Sequence, residues 1–345
     1  MRLLHQILQT SRLLFSQPMR LLFSVMIGLV LGNSALAQTK NQSEPLKKAT
    51  LMLDWTPNTN HTGLYVAKAK GYYQAAGVDM ALLQSGKLST PLMVGNQQVA
   101  FGISHQESLS MARAAGIPIV SLAAIIQKNT SGFYAKAKSG IKNPKDFEGR
   151  TYGSWNSPIE QKTIATVMKN VGGNPDLVKQ VGIGDLDFFK TDGLGIDFVW
   201  GYEAWTGMKA KLDGIETVYF PVRDYATALD NYTPILITHT ETIQKDPELV
   251  RAVTQATQKG YEYAIAHPTE AAEILLKAVP ELDRALILES QAYLSPRYQG
   301  QQKTWGWQER PVFVRYNDWL LENGLIDAAL DADLMFTNQF LQDAN

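Results

Sequence analysis

Hydrophobic positions along this chain fall into two alternating rhythms. Short aliphatic and β-branched runs at 49–54, 78–83, 99–103 and 119–126 have the length and composition of buried strands. Between them, residues 62–70, 90–94 and 106–115 carry apolar side chains at helical spacing, the first of these ended by Gly71. A strand-like run at 133–137 leads into the turn-forming stretch 139–150. A second series follows, with strands predicted at 151–154, 178–183, 198–200 and 217–221 and helices at 159–170 and 202–212. Residues 235–238 predict one returning strand. Beyond Thr240 the spacing is helical, over 247–266, 268–278, 283–294 and 310–323, with Pro or Asp near the starts.

Strands alternating with helices predict an α/β protein. The second series is inserted into the first, with a crossing near Ala135 and a return near Pro234. This predicts a two-lobed clamshell of two βα domains joined by a two-segment hinge, with lobe 1 formed by 49–136 and 237–345 and lobe 2 by 137–236. Two extended segments give such a hinge few residues to deform. Open α/β sheets bind ligands beyond the carboxyl ends of their strands, so the residues that follow each strand are where chemistry is to be sought.

Ahead of the first strand the composition changes. Arg2, Arg12 and Arg20, with no acidic residue among them, precede an apolar run over 21–31 and then Ala35-Leu36-Ala37. That order is a secretory signal peptide, predicted at 1–37 with cleavage after Ala37. The run, about eleven residues, is shorter than the roughly 20 a membrane-spanning helix requires. Residues 38–48 read as a polar linker, and the expected location is the periplasm. The chain has no cysteine, which removes disulfides, thiolate nucleophiles, Cys-ligated metals and a cysteine-linked lipid anchor from consideration. A formal net charge of −1, more acidic once the leader's arginines are gone, argues against nucleic acid as a partner. Seven Trp and fourteen Tyr can furnish an aromatic cleft as well as a core.

The densest polar cluster follows the first strand: Asp54-Trp55-Thr56-Pro57-Asn58-Thr59-Asn60-His61-Thr62-Gly63-Leu64-Tyr65. Trp55 and Tyr65 offer aromatic faces, and Asn58, Asn60 and His61 offer neutral donors and acceptors. The same residue types cap helices and stabilise turns, but their convergence on one strand end favours binding. At the third strand end, Gly102-Ile103-Ser104-His105-Gln106 supplies Ser104 and the free N–H groups of a helix start, although an ordinary tight turn has the same appearance. The second series places Ser154, Trp155 and Asn156 at the end of one strand and Trp200, Tyr202 and Glu203 at the end of another. Glu203 can accept hydrogen bonds from the N–H edge of a heterocycle or serve as a first-turn acid of a helix. Tyr232 comes from the return crossing, and Trp305 and Trp307 read as packing residues. His61, His105, His239 and His267 lack metal-ligand spacing, and there is no phosphate loop, nucleophile elbow or zinc helix. No catalytic residue, metal or cofactor is predicted.

The run from Asp54 to Tyr73, with Gly102-Ile103-Ser104 and Trp200-Gly201-Tyr202-Glu203, resembles the thiamine-biosynthesis pyrimidine-precursor family, from about residue 49 to the carboxyl terminus. The resemblance implies the periplasmic-binding-protein fold. It also implies a monomeric, non-catalytic carrier of formylaminopyrimidine that serves the permease and ATPase subunits of an ABC importer. The ring would lie between aromatic side chains, for which Trp55, Trp155, Trp200 and Tyr202 are the available positions. A riboflavin-binding branch is similar and implies a larger heterocycle. Fungal members are hydroxymethylpyrimidine phosphate synthases that consume pyridoxal phosphate and a histidine of their own chain and carry an iron-linked cysteine-rich motif. This chain lacks those cysteines, and its His61 is read as a binding residue. An alkanesulfonate or nitrate binder of similar architecture would call for Arg or Lys in the strand-end motifs, which contain none.

Overall fold

The computed structural model describes residues 45–343 apart from 185 and 192; the predicted signal peptide and most of the predicted linker lie outside the described residues. In chain order the strands are β1 (Lys47–Met52), β2 (Val78–Leu83), β3 (Phe101–Ser104), β4 (Ile119–Ala124), β5 (Ser131–Lys136), β6 (Thr151–Ser154), β7 (Lys179–Gly182), β8 (Phe198–Tyr202), β9 (Thr217–Pro221) and β10 (Ile235–His239). They form two five-stranded sheets, ordered β2-β1-β3-β10-β4 and β7-β6-β8-β5-β9. The two sheets share one plan. Three strands run parallel, and the fourth position is held by a strand antiparallel to both neighbours: β10 in the first sheet and β5 in the second. In each lobe that antiparallel strand is the first one reached after the chain crosses over.

This topology moves the outward crossing. β5 lies inside the second sheet, so the crossing expected near Ala135 falls between β4 and β5, at 125–130. The return falls just before β10, close to Pro234. β1 begins at Lys47, two residues inside the predicted linker. Both β4 and β5 are buried along their whole length, as strands covered on both faces must be.

The helices that position the site are α1 (Thr62–Ala69), α2 (Gln106–Ala114), α3 (Pro158–Lys169), α4 (Met208–Leu212), α5 (Pro247–Ala266), α6 (Pro268–Ala278), α7 (Arg284–Gln299) and α8 (Arg310–Glu322). Several starts are fixed by local chemistry. Proline occupies the first turn of α3, α5, α6 and α8, where its missing N–H costs nothing. The side chains of Asp246 and Asp283 accept hydrogen bonds from the N–H groups of Leu249 and Leu286. The predicted helix 202–212 opens instead as a π-turn, Glu203–Gly207, before α4. α1 crosses α5 at backbone contact: a Cβ on Gly260 would lie 2.0 Å from the Gly63 carbonyl oxygen, and one on Gly63 2.3 Å from the Tyr261 ring. Only glycine permits that approach.

One face of the first sheet packs Leu51, Leu53, Phe101 and Ile103 with α1 and α5, closed off by Tyr261 and Trp305 stacked at 4.4 Å. The second sheet buries Phe133, Phe147, Tyr152 and Phe198. α8 belongs to both lobes, which corrects its assignment to lobe 1 alone. Val312 and Phe313 enter the first lobe's core, whereas Tyr316, Trp319 and Leu320 enter the second's. Its polar contacts divide the same way, with Ser110 Oγ donating to Asn317 Oδ1 at 2.7 Å and Trp319 Nε1 to Thr166 Oγ1 at 2.9 Å. Away from the hinge the lobes meet again through the π-turn and α4. Ala204 packs into the first lobe's core, Lys211 pairs with Glu289 of α7 at 2.7 Å, and the Trp55 and Trp205 rings meet edge to face at 6.2 Å.

Candidate functional site

The cluster after β1 is organised by Asp54, which sits between two imidazoles: His61 Nε2 lies 2.6 Å from Oδ1 and His105 Nε2 lies 3.1 Å from Oδ2. His61 Nδ1 accepts the Asn58 N–H at 3.2 Å, so Nε2 carries the proton donated to Asp54. Burial is the largest single influence on the Asp54 carboxyl and pushes its pKa up. The two imidazoles together outweigh it and hold the group well below the usual carboxylate range. Burial pulls the His105 pKa down, but its hydrogen bond and charge interaction with Asp54, aided by Glu107, raise it overall. His105 therefore leans toward imidazolium.

Beside His105 lies a cavity of about 170 Å³ lined by both lobes and the hinge. Lobe 1 gives His105 and Glu107 from the start of α2. The outward crossing gives Asn129, with Ser131 at the start of β5 beside it, and the return crossing gives Asn231 and Thr233. Lobe 2 gives Trp155, Trp200 and Tyr202, with Ile159 and Thr163 of α3 behind them, and α8 adds Tyr316. The Trp155 and Trp200 rings lie nearly parallel, 17° apart with centroids at 5.9 Å, so a flat guest can extend their stack. Two polar atoms of the lining are buried without a hydrogen-bond partner: Trp200 Nε1 and Ser131 Oγ. Buried polar groups are nearly always paired, so two orphans on one wall are a sign of a site for a polar ligand.

The neighbouring polar groups are already engaged. Asn129 Nδ2 donates to the Leu229 carbonyl and to Asn231 Oδ1, and its Oδ1 accepts the Ser131 N–H. Glu160 is buried under the Trp155 turn and accepts from the Tyr152 hydroxyl and from the N–H groups of Trp155 and Ser157 at 2.6–2.9 Å. These contacts fix the turn that carries Trp155. Burial raises the Tyr202 hydroxyl pKa, with the charge of Glu107 across the cleft adding to it, so the phenol stays a neutral donor.

Of the residues singled out from sequence, Trp155, Trp200 and Tyr202 line this cavity. The others lie elsewhere, for reasons that can be read from their bonds. His61 is fully buried, and Asn58 caps the loop by accepting the Asn60 N–H and donating to the Thr56 carbonyl. The Asn60 carbonyl receives the Tyr261 hydroxyl of α5. Tyr65 packs toward α6. Ser104 is buried with its Oγ unpaired but is absent from the cavity wall. Ser154 Oγ accepts from Asn156 N and Gln180 Nε2, and Asn156 takes a left-handed backbone with φ 68°. Trp55 is 43% exposed and faces Trp205 rather than the cavity.

Glu203 and Tyr232 are displaced by strand alternation. Successive side chains of an extended chain point to opposite faces. Along β8, Phe198 and Trp200 share the face of Phe133, whereas Val199 shares that of Tyr134. Glu203 follows the second set and accepts the Tyr134 hydroxyl. Tyr232 turns away from the cavity, where its hydroxyl accepts the Glu309 N–H at 3.0 Å, while Asn231 and Thr233 on either side line it. Sequence reasoning missed His105, Glu107, Asn129, Ser131, Asn231, Thr233 and Tyr316. The alternation rule applied to the hinge could have found Asn231 and Thr233. Glu107 is indistinguishable in sequence from an ordinary first-turn acid.

Two βα lobes, two crossing segments and a cavity at their junction define a protein of the periplasmic-binding-protein fold. Solved structures agree. The periplasmic aliphatic sulphonate binding protein SsuA from Escherichia coli superposes with a TM-score of 0.66 over 84% of this chain and 91% of its own, at 12% identity. A Candida albicans protein described as having the generic periplasmic binding protein structural fold gives 0.60 over 86% and 98%, at 15% identity. Residues 58–271 match the family described as NMT1/THI5 like, and the chain belongs to that family. Among curated relatives, the formylaminopyrimidine-binding protein of Halalkalibacterium halodurans is 26% identical over 87% of this chain and 94% of its own. The riboflavin-binding protein RibY of Chloroflexus aurantiacus is 24% identical over 88% and 89%. A 4-amino-5-hydroxymethyl-2-methylpyrimidine phosphate synthase of Legionella pneumophila is 27% identical over 86% and 93%.

Proposed function

We propose that this protein is the solute-binding component of an ABC importer and that it carries a single-ring pyrimidine precursor of thiamine, of the formylaminopyrimidine type, between its lobes. The observation that carries the reading is the cavity itself: about 170 Å³, walled by both lobes and both hinge segments, with a tryptophan pair and two orphaned polar groups. A cavity of about 150 Å³ accommodates benzene, so this one suits a six-membered ring with small substituents better than a fused three-ring flavin. Closure is favoured only by contacts made to both lobes at once, and a guest touching His105 and Glu107 on one side and Trp155 and Trp200 on the other meets that condition. The partners in this reading are the permease and ATPase subunits, and the protein acts as a periplasmic monomer after removal of residues 1–37.

Two features favour a carrier over a synthase. Among the described residues no lysine amine that could form a Schiff base lines the cavity, and His61 is buried with both ring nitrogens engaged. Titration calorimetry with formylaminopyrimidine and with riboflavin tests the reading. The pyrimidine is expected to bind the wild type, and Trp155→Ala to weaken it by about tenfold through loss of one stacking face. Tighter binding of riboflavin, or no heat with the pyrimidine, would sink it.

A further inference from the structure

Glu107 stands apart from the other polar groups of the cavity. It comes from lobe 1, it lines the same cavity as the tryptophan pair of lobe 2, and its carboxylate accepts no hydrogen bond among the described residues. Every other acid nearby is committed. Asp54 is held by His61 and His105, and Glu160 by three donors. The titratable groups facing Glu107 are His105 at the start of its own helix with Asp54 behind it, Glu160 on α3, Tyr202 on β8 and Tyr316 on α8. Glu160 is a carboxyl of the opposite lobe. Bringing Glu107 toward it on closure is unfavourable unless something between them supplies N–H donors or positive charge.

The lining from lobe 2 asks for the complement. Trp200 Nε1 can only donate. Ser131 Oγ, the second orphan, can donate to the same edge. A ligand that satisfies both walls therefore presents an acceptor to Trp200 and Ser131 and an N–H donor to Glu107.

We infer that Glu107 is the specificity-determining residue of the cavity, and that it selects heterocycles carrying an exocyclic amino group over rings of equal size without it. This inference rests on the carrier reading and adds to it the chemical feature the site reads. Burial raises the Glu107 pKa, with His105 opposing and Glu160 adding. The carboxyl is thus more basic than a surface glutamate, which makes it a stronger acceptor for an amino N–H.

The test uses the full exported protein and two probes of matched size, 4-aminopyrimidine and 4-methylpyrimidine, with the isosteric variant Glu107→Gln. Wild type is expected to prefer the amino compound by on the order of tenfold or more, as a charge-assisted hydrogen bond implies. In Glu107→Gln that preference is expected to shrink severalfold while affinity for 4-methylpyrimidine is retained, which shows that the variant's site is intact. Equal preference in the two proteins, or equal loss of both probes in the variant, overturns the role of Glu107. If wild type binds neither pyrimidine, the carrier reading itself fails and this inference with it.

Discussion

The strand end of β1 and the strand β8 look alike in sequence, each gathering tryptophan, a carboxylate and further polar or aromatic groups within a few residues, yet the structure uses them oppositely. After β1 most of the polar groups are tied to one another or to the core. Asp54 holds two imidazoles, Asn58 holds the loop, and the Asn60 carbonyl is tied to Tyr261. Along β8 the rings are exposed to a cavity, and the indole N–H of Trp200 is left unpaired. A dense polar motif whose hydrogen bonds close on themselves builds a scaffold, whereas a sparser one that leaves donors unanswered builds a binding surface.

Removing Asp54 attacks the scaffold side of this contrast most severely. Asp54→Ala strands a buried His61 donor and leaves His105 without its counter-charge, a loss of about 3–5 kcal/mol by analogy with broken buried pairs, measurable by denaturant unfolding. The pH profile carries a second signature. Asp54 has a depressed folded pKa, so its contribution is present above its unfolded value of about 3.9 and is lost as pH falls toward the folded one. His105 has a raised folded pKa, so its contribution is full below its unfolded value of about 6.5 and is lost as pH rises through the folded one. Wild type is expected to gain most from the pair between about pH 4 and 6.5, and the variant to lose that gain. A variant as stable as wild type throughout would mean that the β1 cluster is not a scaffold.

Trp200→Phe probes the binding side with a smaller effect of the opposite kind. It keeps a ring and deletes the orphan N–H, so stability without ligand is expected to change little, while pyrimidine affinity falls by about 1 kcal/mol, roughly fivefold, in calorimetry. A large stability loss with unchanged affinity would reverse the contrast between the β1 cluster and β8. The smallest expected effect is that of Lys211→Ala, which removes the exposed contact with Glu289 where the lobes meet away from the hinge. At under about 1 kcal/mol, weakened further by salt, it is visible as a slightly faster ligand release rather than as a change in unfolding.

Most of the architecture was legible because it rests on local rules. The periods of two and of three to four residues locate nearly all strands and helices, and proline and aspartate mark the helix starts. The outward crossing was misplaced because β4 and β5 are both apolar along their length, so hydropathy shows no break where one sheet ends and the next begins. α8 was assigned to one lobe because an amphipathic pattern records how much of a helix is buried and not which neighbours bury it. At the site, Trp155, Trp200 and Tyr202 could be read from their place at strand ends, but Glu107 could not be separated from an ordinary helix-start acid.

The sequence alone determined the α/β class, the two-lobed plan, the exclusion of cysteine chemistry and the aromatic character of lobe 2, because each follows from composition or from periodicities set by the backbone. Tertiary structure decided which polar groups face one another across the gap between lobes. Whether an asparagine or histidine is free to meet a guest depends on partners far away in the chain, as His105 depends on Asp54 and Tyr261 fixes the Asn60 carbonyl. Hydrogen bonds between distant segments leave no spacing rule behind, and so only the fold could separate the groups that hold the protein together from those left to hold something else.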